Sequence, residues 1–325
     1  MKDFTIVNAT TVSEAVSALG QPKTAVLAGG TDLLGQLKNF MSPNNSPDVL
    51  VNIKTISGLD SIAEEGGMLK IGALAKLADI AASATVKAKY AALAEAAGKA
   101  ATPELRNMGT IGGNICQQVR CWYYRAEYNF FNCLRKNPAG VCQALIGDNR
   151  YHSIFGAVNG CIAVNPSDTA PALIALDAKI VTTKNTAGYG AEDFFTFTGA
   201  GSEKTTILDD DEIVTEIQVP SPAAGTKSAF VKFAIRKAFD FPIVNCAAAI
   251  SSSAARICLN AVHNNPYRAT AAEESIAGKT IDEANAEAAG SAAVADASPA
   301  SPVGHNKYMI QIAKTMVKRA ILDCK

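Results

Sequence analysis

Leu27-Ala-Gly-Gly-Thr-Asp-Leu-Leu34 is a glycine-rich stretch whose two glycines directly follow Ala25 to Ala28, an apolar segment typical of a buried strand. A second such stretch, Arg106-Asn-Met-Gly-Thr-Ile-Gly-Gly-Asn-Ile115, comes about eighty residues later. Glycine lets backbone N–H groups approach an anion because no Cβ intervenes, and successive N–H groups in a turn form an anion-binding concavity. Each stretch alone is more often a plain tight turn, but the pair could bind the two phosphates of one pyrophosphate. Neither has the spacing of a Rossmann motif or a P-loop.

The surrounding sequence predicts three structural units. Around the first glycine-rich stretch, residues 4–7, 25–28 and 48–53 have the pattern of strands, and a helix is predicted to begin at Thr11, with Glu14 completing a capping box. Residues 1–55 therefore form a β-α-β-α-β unit, and residues 56–219 form a second unit of strands and Ala-rich helices. The breaker cluster that begins at Pro220 marks the boundary with a C-terminal α+β unit, residues 220–325.

The composition excludes several classes of protein. The chain has 325 residues, of which 48% are hydrophobic and 18% charged, so it is not a disordered protein. The 30 basic and 30 acidic residues balance, whereas a nucleic-acid binder usually has a basic surplus. Neither a secretory signal nor an apolar stretch long enough to span a membrane is seen. We therefore expect a cytoplasmic protein without a transmembrane segment.

The cysteines are unevenly distributed. Five of the eight lie between residues 116 and 161, and four of these, Cys121, Cys133, Cys142 and Cys161, have the spacing C-x11-C-x8-C-x18-C. Stable disulfides are rare in the cytosol, and sets of thiolates favour Fe–S clusters or zinc. The spacing lacks the CxxC of zinc ribbons and ferredoxins, so a cluster, zinc and buried structural thiols all stay open.

The two glycine-rich stretches resemble the FAD-contacting signatures of the medium, flavin-carrying subunit of molybdenum hydroxylases. This family includes xanthine dehydrogenase, carbon monoxide dehydrogenase and 4-hydroxybenzoyl-CoA reductase. Residues 163–173 are similar to its His-Pro-Ser-Asp-x-Ala-Pro-Ala-Leu segment, with Asn165 in place of the histidine. Residues 233–244 resemble the strand and turn near the flavin ring, and residues 265–269 resemble the start of the helical part of the C-terminal domain. The similarity covers nearly the whole chain in the right order.

The resemblance implies an α+β fold: a two-subdomain FAD-binding domain of the PCMH type, residues 1–219, followed by a C-terminal α+β domain. It also implies which residues bind FAD. The residues expected around the pyrophosphate and ribityl chain are Ala28, Gly29, Gly30, Thr31, Asp32, Leu33, Leu34, Thr110, Ile111, Gly112, Gly113 and Asn114. Asp168 would bind the flavin polyol, although a helix N-cap is the simpler role for it. Lys232 and Arg236 would lie near the isoalloxazine, where a cation stabilises the reduced flavin, unless they belong to a solvated strand face.

The flavin subunits of 4-hydroxybenzoyl-CoA reductases, the members of the family that this chain most resembles, carry a Cys-rich insertion that holds a [4Fe–4S] cluster. Cys121, Cys133, Cys142 and Cys161 match its four cysteines in order, within an insertion spanning residues 116–161. Cationic side chains are expected to offset the thiolate charge: Arg120, Arg125, Arg135 and Lys136. Cys116 is expected to pack beside the flavin loop.

The resemblance implies an electron-transfer flavoprotein subunit with no catalytic acid, base or nucleophile of its own. A large partner would hold the molybdenum cofactor, a small partner the [2Fe–2S] clusters, and the complex would be a dimer of heterotrimers. An external carrier such as ferredoxin or NAD would exchange electrons with it. Two alternatives stay open: a stand-alone FAD oxidase of the vanillyl-alcohol-oxidase type, which substrate turnover by the isolated chain would reveal, and a cluster-bearing scaffold, which would lack a flavin spectrum.

Overall fold

The computed structural model describes residues 1–42, 45–196 and 201–325. The first subdomain is a parallel three-stranded sheet with two helices. Its elements are β1 (Thr5–Asn8), α1 (Val12–Leu19), β2 (Thr24–Leu27), α2 (Leu33–Lys38) and β3 (Val49–Asn52). β3 lies between β1 and β2, which agrees with its unbroken apolar sequence. Half of the predicted capping box of α1 is present, since Thr11 Oγ1 accepts from the Glu14 amide at 3.1 Å, whereas the Glu14 carboxylate accepts from the Thr10 amide at 2.7 Å rather than from Thr11.

The second subdomain surrounds a five-stranded antiparallel sheet. Its elements are β4 (Ile62–Glu65), β5 (Met68–Gly72), α3 (Leu77–Ala82), α4 (Ala84–Lys89), α5 (Ala91–Lys99), α6 (Pro103–Arg106), α7 (Ile111–Ile115), α8 (Thr169–Ala175), β6 (Lys179–Thr182), β7 (Tyr189–Gly190), α9 (Ala191–Phe194) and β8 (Val214–Pro220). The strand order is β4-β5-β8-β6-β7. Gly112 and Gly113, expected in a turn, lie inside α7, because Thr110 caps this short helix through the Gly113 amide.

The C-terminal domain is an antiparallel four-stranded sheet with three helices. Its elements are β9 (Lys227–Phe233), β10 (Val244–Ile250), β11 (Ala255–Asn260), β12 (Tyr267–Arg268), α10 (Thr270–Ile276), α11 (Glu283–Ala293) and α12 (Tyr308–Leu322), with the strand order β12-β11-β10-β9. Helices α5 and α8 of the second subdomain pack on this sheet. Phe230, Ala247 and Cys258 consequently belong to the same hydrophobic core as the second subdomain. In this packing α5 lies on β9, and α8 lies on β10 and β11.

The Cys-rich segment, residues 116–161, contains only two short 3₁₀ turns, at residues 127–129 and 143–145. It has a small core of its own, in which Cys133, Cys142 and Cys161 pack with Tyr124 and Met41. Mixed helices and sheets confirm the α+β class. No helix in the described part of the chain is both long and apolar enough to cross a bilayer.

Candidate functional site

The two glycine-rich stretches pack directly against each other. A Cβ at Gly29 would lie 2.1 Å from the carbonyl oxygen of Met108, and Gly30 has φ +71°. Only glycine permits both this close approach and this backbone conformation. The contact shapes a cleft of about 380 Å³ lined by both stretches, a volume within the range of small-molecule sites.

The two stretches offer different groups to a ligand. Among the described residues, the amides of Gly29, Gly30 and Thr31 donate to no protein acceptor. The amides of α7 are already engaged, since Ile111 donates to Ala75 and Gly112 donates to Ala73, both at 2.9 Å. An anion in the cleft therefore finds free N–H donors at the first stretch, whereas the second offers side chains and the Cα surface.

Most of the predicted FAD-binding residues line this cleft. They are Ala28, Gly29, Gly30, Thr31, Asp32, Leu33, Thr110, Gly112, Gly113, Asn114 and Asp168. Ile111 instead lies fully buried in the main hydrophobic core, and Leu34 does not line the cleft. The cleft thus combines free amides, hydroxyl groups and an apolar wall, a donor set that fits the pyrophosphate and polyol of FAD.

Asp32 joins the first glycine-rich stretch to the Cys-rich segment. Its Oδ1 lies 2.7 Å from Arg125 Nη2 and 2.9 Å from Arg120 Nη2. Its Oδ2 accepts from the Gln118 amide and from Gln36 Nε2, both at 2.9 Å. Arg120 and Arg125, which were expected to offset thiolate charge, pair with this carboxylate instead. The reason is tertiary, because the fold brings Asp32 next to them.

Asp168 and Lys232 meet across the boundary with the C-terminal domain. Lys232 Nζ lies 2.7 Å from Asp168 Oδ2, and Asn245 donates to Oδ1 at 2.8 Å. Burial raises the pKa of the Asp168 carboxyl, and the charge of Lys232 acts in the opposite direction. Asp168 occupies the N-cap position of α8, as the simpler expectation held, but its side chain makes no capping bond; Ser167 Oγ accepts from the Ala170 amide instead. The simpler expectation for Lys232 is wrong, because this side chain is buried rather than solvated.

A second cavity of about 370 Å³ adjoins the first, and Arg120, Pro166 and Phe241 line both. Arg236 lines the second cavity but is 65% exposed and pairs with Asp240 at 2.8 Å. Arg236 therefore lies at a solvated surface, which was the alternative to a position near the isoalloxazine.

Several cavity-lining residues were not predicted to bind the cofactor. They include Gln117, Gln118, Arg120 and Glu212. They come from the Cys-rich segment and from the turn before β8. Nothing in their local sequence distinguishes them, because only the packing of the three units brings them to one cleft.

The four cysteines Cys121, Cys133, Cys142 and Cys161 share one largely buried environment. Burial raises the pKa of Cys121, Cys133 and Cys142, and the neighbouring thiols raise it further. Within the described ranges, no group of three or more His, Cys, Asp or Glu side chains is arranged to hold a metal ion. The thiols are thus neighbours that do not surround a single ion.

N–H groups lie around the sulfur atoms of these cysteines, and those at Cys161 form hydrogen bonds. Cys161 Sγ accepts from the Ala163 amide and Asn264 Nδ2, both at 3.5 Å, and from Arg135 Nη1 at 3.9 Å. For the other three thiols, backbone N–H groups act to lower the pKa against the larger effect of burial: Tyr124 for Cys121, Arg135 for Cys133, and Ala144, Leu145 and Ile162 for Cys142. Such bonds favour the thiolate form.

His152 lies against this group, with Nε2 3.2 Å from Cys121 Sγ. Its ring makes edge contacts with Trp122, at 5.3 Å between ring centroids. Burial lowers the pKa of His152 to about 4, so the imidazole is neutral at pH 7. This agrees with a packing histidine rather than a general base.

The chain matches two family models in sequence. Residues 2–222 match the FAD binding domain in molybdopterin dehydrogenase, and residues 229–324 match the CO dehydrogenase flavoprotein C-terminal domain. The first match alone covers more than half of the chain.

Individual relatives align along nearly the whole chain. The aldehyde oxidoreductase FAD-binding subunit PaoB of Escherichia coli (strain K12) is 31% identical over 100% of this chain and 99% of its own length. The carbon monoxide dehydrogenase medium chain of Hydrogenophaga pseudoflava is 30% identical over 95% and 93%. A solved structure of carbon monoxide dehydrogenase from Hydrogenophaga pseudoflava, 30% identical, superposes with a TM-score of 0.74 over 99% of this chain and 97% of that one. The chain therefore belongs to the family of FAD-binding subunits of molybdenum hydroxylases.

Proposed function

We propose that this chain is the electron-transfer subunit of a heteromeric molybdenum-dependent hydroxylase, dehydrogenase or reductase, of the type found in 4-hydroxybenzoyl-CoA reductase. Substrate would react at a molybdenum cofactor on a large partner, and [2Fe–2S] clusters on a small partner would relay electrons to this chain. We expect a cytoplasmic dimer of heterotrimers that exchanges electrons with a carrier such as ferredoxin or NAD. The cleft with free amides at Gly29, Gly30 and Thr31 carries the proposal.

Bound FAD would exchange electrons singly or in pairs, and so link one-electron clusters to a two-electron carrier such as NAD or to a ferredoxin. This chain's residues would bind and orient it. The free amides of the first glycine-rich stretch would bind the pyrophosphate, with Thr110 and Asn114 on the opposite wall of the cleft. Asp168 would accept from the polyol, because each carboxylate oxygen has a second lone pair beyond its present bond.

We propose in addition that Cys121, Cys133, Cys142 and Cys161 hold a [4Fe–4S] cluster. The contrast with the other buried cysteines supports this. Cys246 and Cys258 behave as protonated thiols, since their Sγ atoms donate to the carbonyl oxygens of Ala247 at 3.7 Å and Leu259 at 3.5 Å. Cys161 Sγ instead accepts from the Ala163 amide and Asn264 Nδ2, both at 3.5 Å, and such bonds suit a thiolate ligand and tune cluster potentials.

The placement of this segment suits electron transfer to the flavin. Cys121 lines the second cavity, which adjoins the FAD cleft. Arg135 and Lys136 supply positive charge near the sulfurs. Arg135 Nη1 lies 3.9 Å from Cys161 Sγ, and negative charge on Cys133 acts to raise the pKa of Lys136, against the larger effect of burial. A cluster here would therefore lie beside the cofactor cavities.

The family match of residues 229–324 favours a subunit over a stand-alone oxidase, because that model describes a flavoprotein domain of carbon monoxide dehydrogenase. The deciding experiment is anaerobic purification followed by an absorption spectrum, iron and acid-labile sulfide analysis, and EPR after reduction with dithionite. We expect a flavin spectrum and about four iron atoms per chain. Absence of flavin would contradict the whole proposal, and absence of iron would contradict the cluster alone. Substrate turnover by the isolated chain would favour the oxidase.

A further inference from the structure

Arg120 lies where the two cavities meet. Its side chain lines both of them and is 28% exposed, so it is accessible from within the cavities. Its guanidinium carbon lies 4.4 Å from the centre of the Phe241 ring, and Nη2 lies 2.9 Å from Asp32 Oδ1. The guanidinium is thus held between the first glycine-rich stretch and the C-terminal domain.

The charges around Asp32 do not cancel. One carboxylate pairs with two guanidiniums, since Arg125 Nη2 lies 2.7 Å from the same oxygen that Arg120 contacts. A guanidinium is not deprotonated in proteins, so both arginines carry their charge. Asp32, Arg120 and Arg125 together therefore carry one net positive charge. Of the two arginines, Arg120 is the one that lines the cavities.

The two cations that the resemblance places near the isoalloxazine, Lys232 and Arg236, are each neutralised by one carboxylate. Lys232 binds Asp168 at 2.7 Å and donates to the Lys99 carbonyl at 3.0 Å. Arg236 is bound by Asp240 and faces solvent, where water screens its charge. Neither brings an unbalanced charge to the cavities.

We propose that Arg120 is the cation that stabilises reduced flavin in this protein, an inference that rests on the proposed FAD site. Flavin that takes up two electrons and one proton carries one more negative charge than oxidised flavin. A fixed positive charge in a low-dielectric cavity stabilises that anion more than the neutral oxidised ring. Arg120 therefore raises the midpoint potential of the bound flavin and makes the chain bind reduced FAD more tightly than it otherwise would.

The test is an anaerobic spectroelectrochemical titration of FAD on the full chain, with mediators as the electron source, together with the affinities for oxidised and reduced FAD. Arg120→Gln should weaken binding of reduced FAD, relative to oxidised FAD, by about tenfold or more, which lowers a two-electron potential by about 30 mV. Arg120→Lys keeps the charge and should restore most of the potential.

Two comparison variants separate charge from structure. Arg236→Gln also removes an arginine from a cavity wall, but because Asp240 already neutralises it, the shift should be several times smaller. Arg125 lines neither cavity, yet Arg125→Gln should lower the potential, because Asp32 then neutralises Arg120 alone.

The proposal is overturned if Arg120→Gln leaves the midpoint potential unchanged. It is also overturned if the variant weakens binding of oxidised and reduced FAD equally, or binds neither. A shift as large in Arg236→Gln would overturn it as well. A wild-type chain that binds no FAD would instead contradict the proposed function.

Discussion

Asp168 and Lys232 form a buried ion pair between the FAD-binding half and the C-terminal domain. The Lys232 Nζ to Asp168 Oδ2 distance is 2.7 Å, and the side chains are 6% and 5% exposed, respectively. Asp168 precedes α8 and Lys232 lies on β9, so the pair joins two units that are separate in sequence. It fixes the C-terminal sheet against the wall of the FAD cleft, because Asp168 also lines that cleft.

Removal of one partner should therefore lower the free energy of unfolding more than removal of one partner of an exposed ion pair does. Lys232→Met leaves the Asp168 carboxylate buried without a counter-charge, and we expect the free energy of unfolding to fall by about 3–5 kcal/mol. Urea denaturation monitored by circular dichroism measures this loss.

The double variant Lys232→Met with Asp168→Leu should recover much of the loss, because no buried charge then remains unpaired. Arg236→Gln, which breaks the exposed pair with Asp240, serves as the control and should change stability little. Equal effects of Lys232→Met and Arg236→Gln would show that burial does not matter here.

Gly29 should not tolerate a side chain. In Gly29→Ala the new Cβ would lie 2.1 Å from the Met108 carbonyl oxygen, so the two glycine-rich stretches must move apart. Overpacking of this kind costs about 1–3 kcal/mol, and we expect the FAD content of the purified protein to fall with it. Absorbance at the flavin band and urea denaturation check the two effects.

Gly35→Ala is the matched control, since Gly35 lies in the neighbouring helix α2 and a Cβ there meets nothing within 4 Å. Alanine is the better helix former by about 1 kcal/mol, so this variant should keep FAD and gain stability. If both alanine variants bind FAD normally, close packing of the two stretches is not needed for the cleft.

Thr110 combines two roles that a paired substitution can separate. It caps α7, because its Oγ1 accepts from the Gly113 amide at 3.2 Å, and it lines the proposed FAD cleft. Thr110→Ala should destabilise the protein by about 1 kcal/mol and also weaken FAD binding. Thermal unfolding and FAD titration of the apoprotein are the measurements.

Thr102→Ala provides the comparison. Thr102 caps α6 through the Leu105 amide at 3.3 Å but does not line the cleft. A similar loss of stability with unchanged FAD affinity is expected. Weaker FAD binding in Thr102→Ala to the same degree would mean that helix stability, not the Thr110 hydroxyl, controls the affinity.

Cys133→Ser tests the proposed cluster. Because the sulfur faces the Arg135 amide among three other thiols, its replacement should remove iron and acid-labile sulfide while FAD stays bound. Iron analysis and EPR of the reduced protein show the loss, and the flavin spectrum shows what remains.

Cys258→Ser is the control, since Cys258 lies in the main core and its thiol donates to the Leu259 carbonyl. It should retain iron. Equal loss of FAD and iron in Cys133→Ser would argue that the Cys-rich segment is purely structural, and zinc in place of iron in the wild type would contradict the cluster.

The α+β class and most elements could be predicted because they depend on local patterns. The apolar run at residues 48–53 predicted the central strand β3, and Thr11 with Glu14 predicted the start of α1. The helix at Gly112 and Gly113 could not be predicted in this way. It has five residues, too few for a periodic pattern, and its amides are held by carbonyl groups of residues 73 and 75, far away in sequence.

Within the site, the glycine-rich stretches and the cysteines could be identified from their residue types, because close backbone approach and soft-metal ligation each require particular residues. The partners of the charged groups depend on the tertiary fold. Arg120 adjoins Cys121 in sequence, yet it binds Asp32, and Lys232 binds Asp168 on another unit. Charge pairing depends on distance through space and on burial, and neither can be read from positions along the chain.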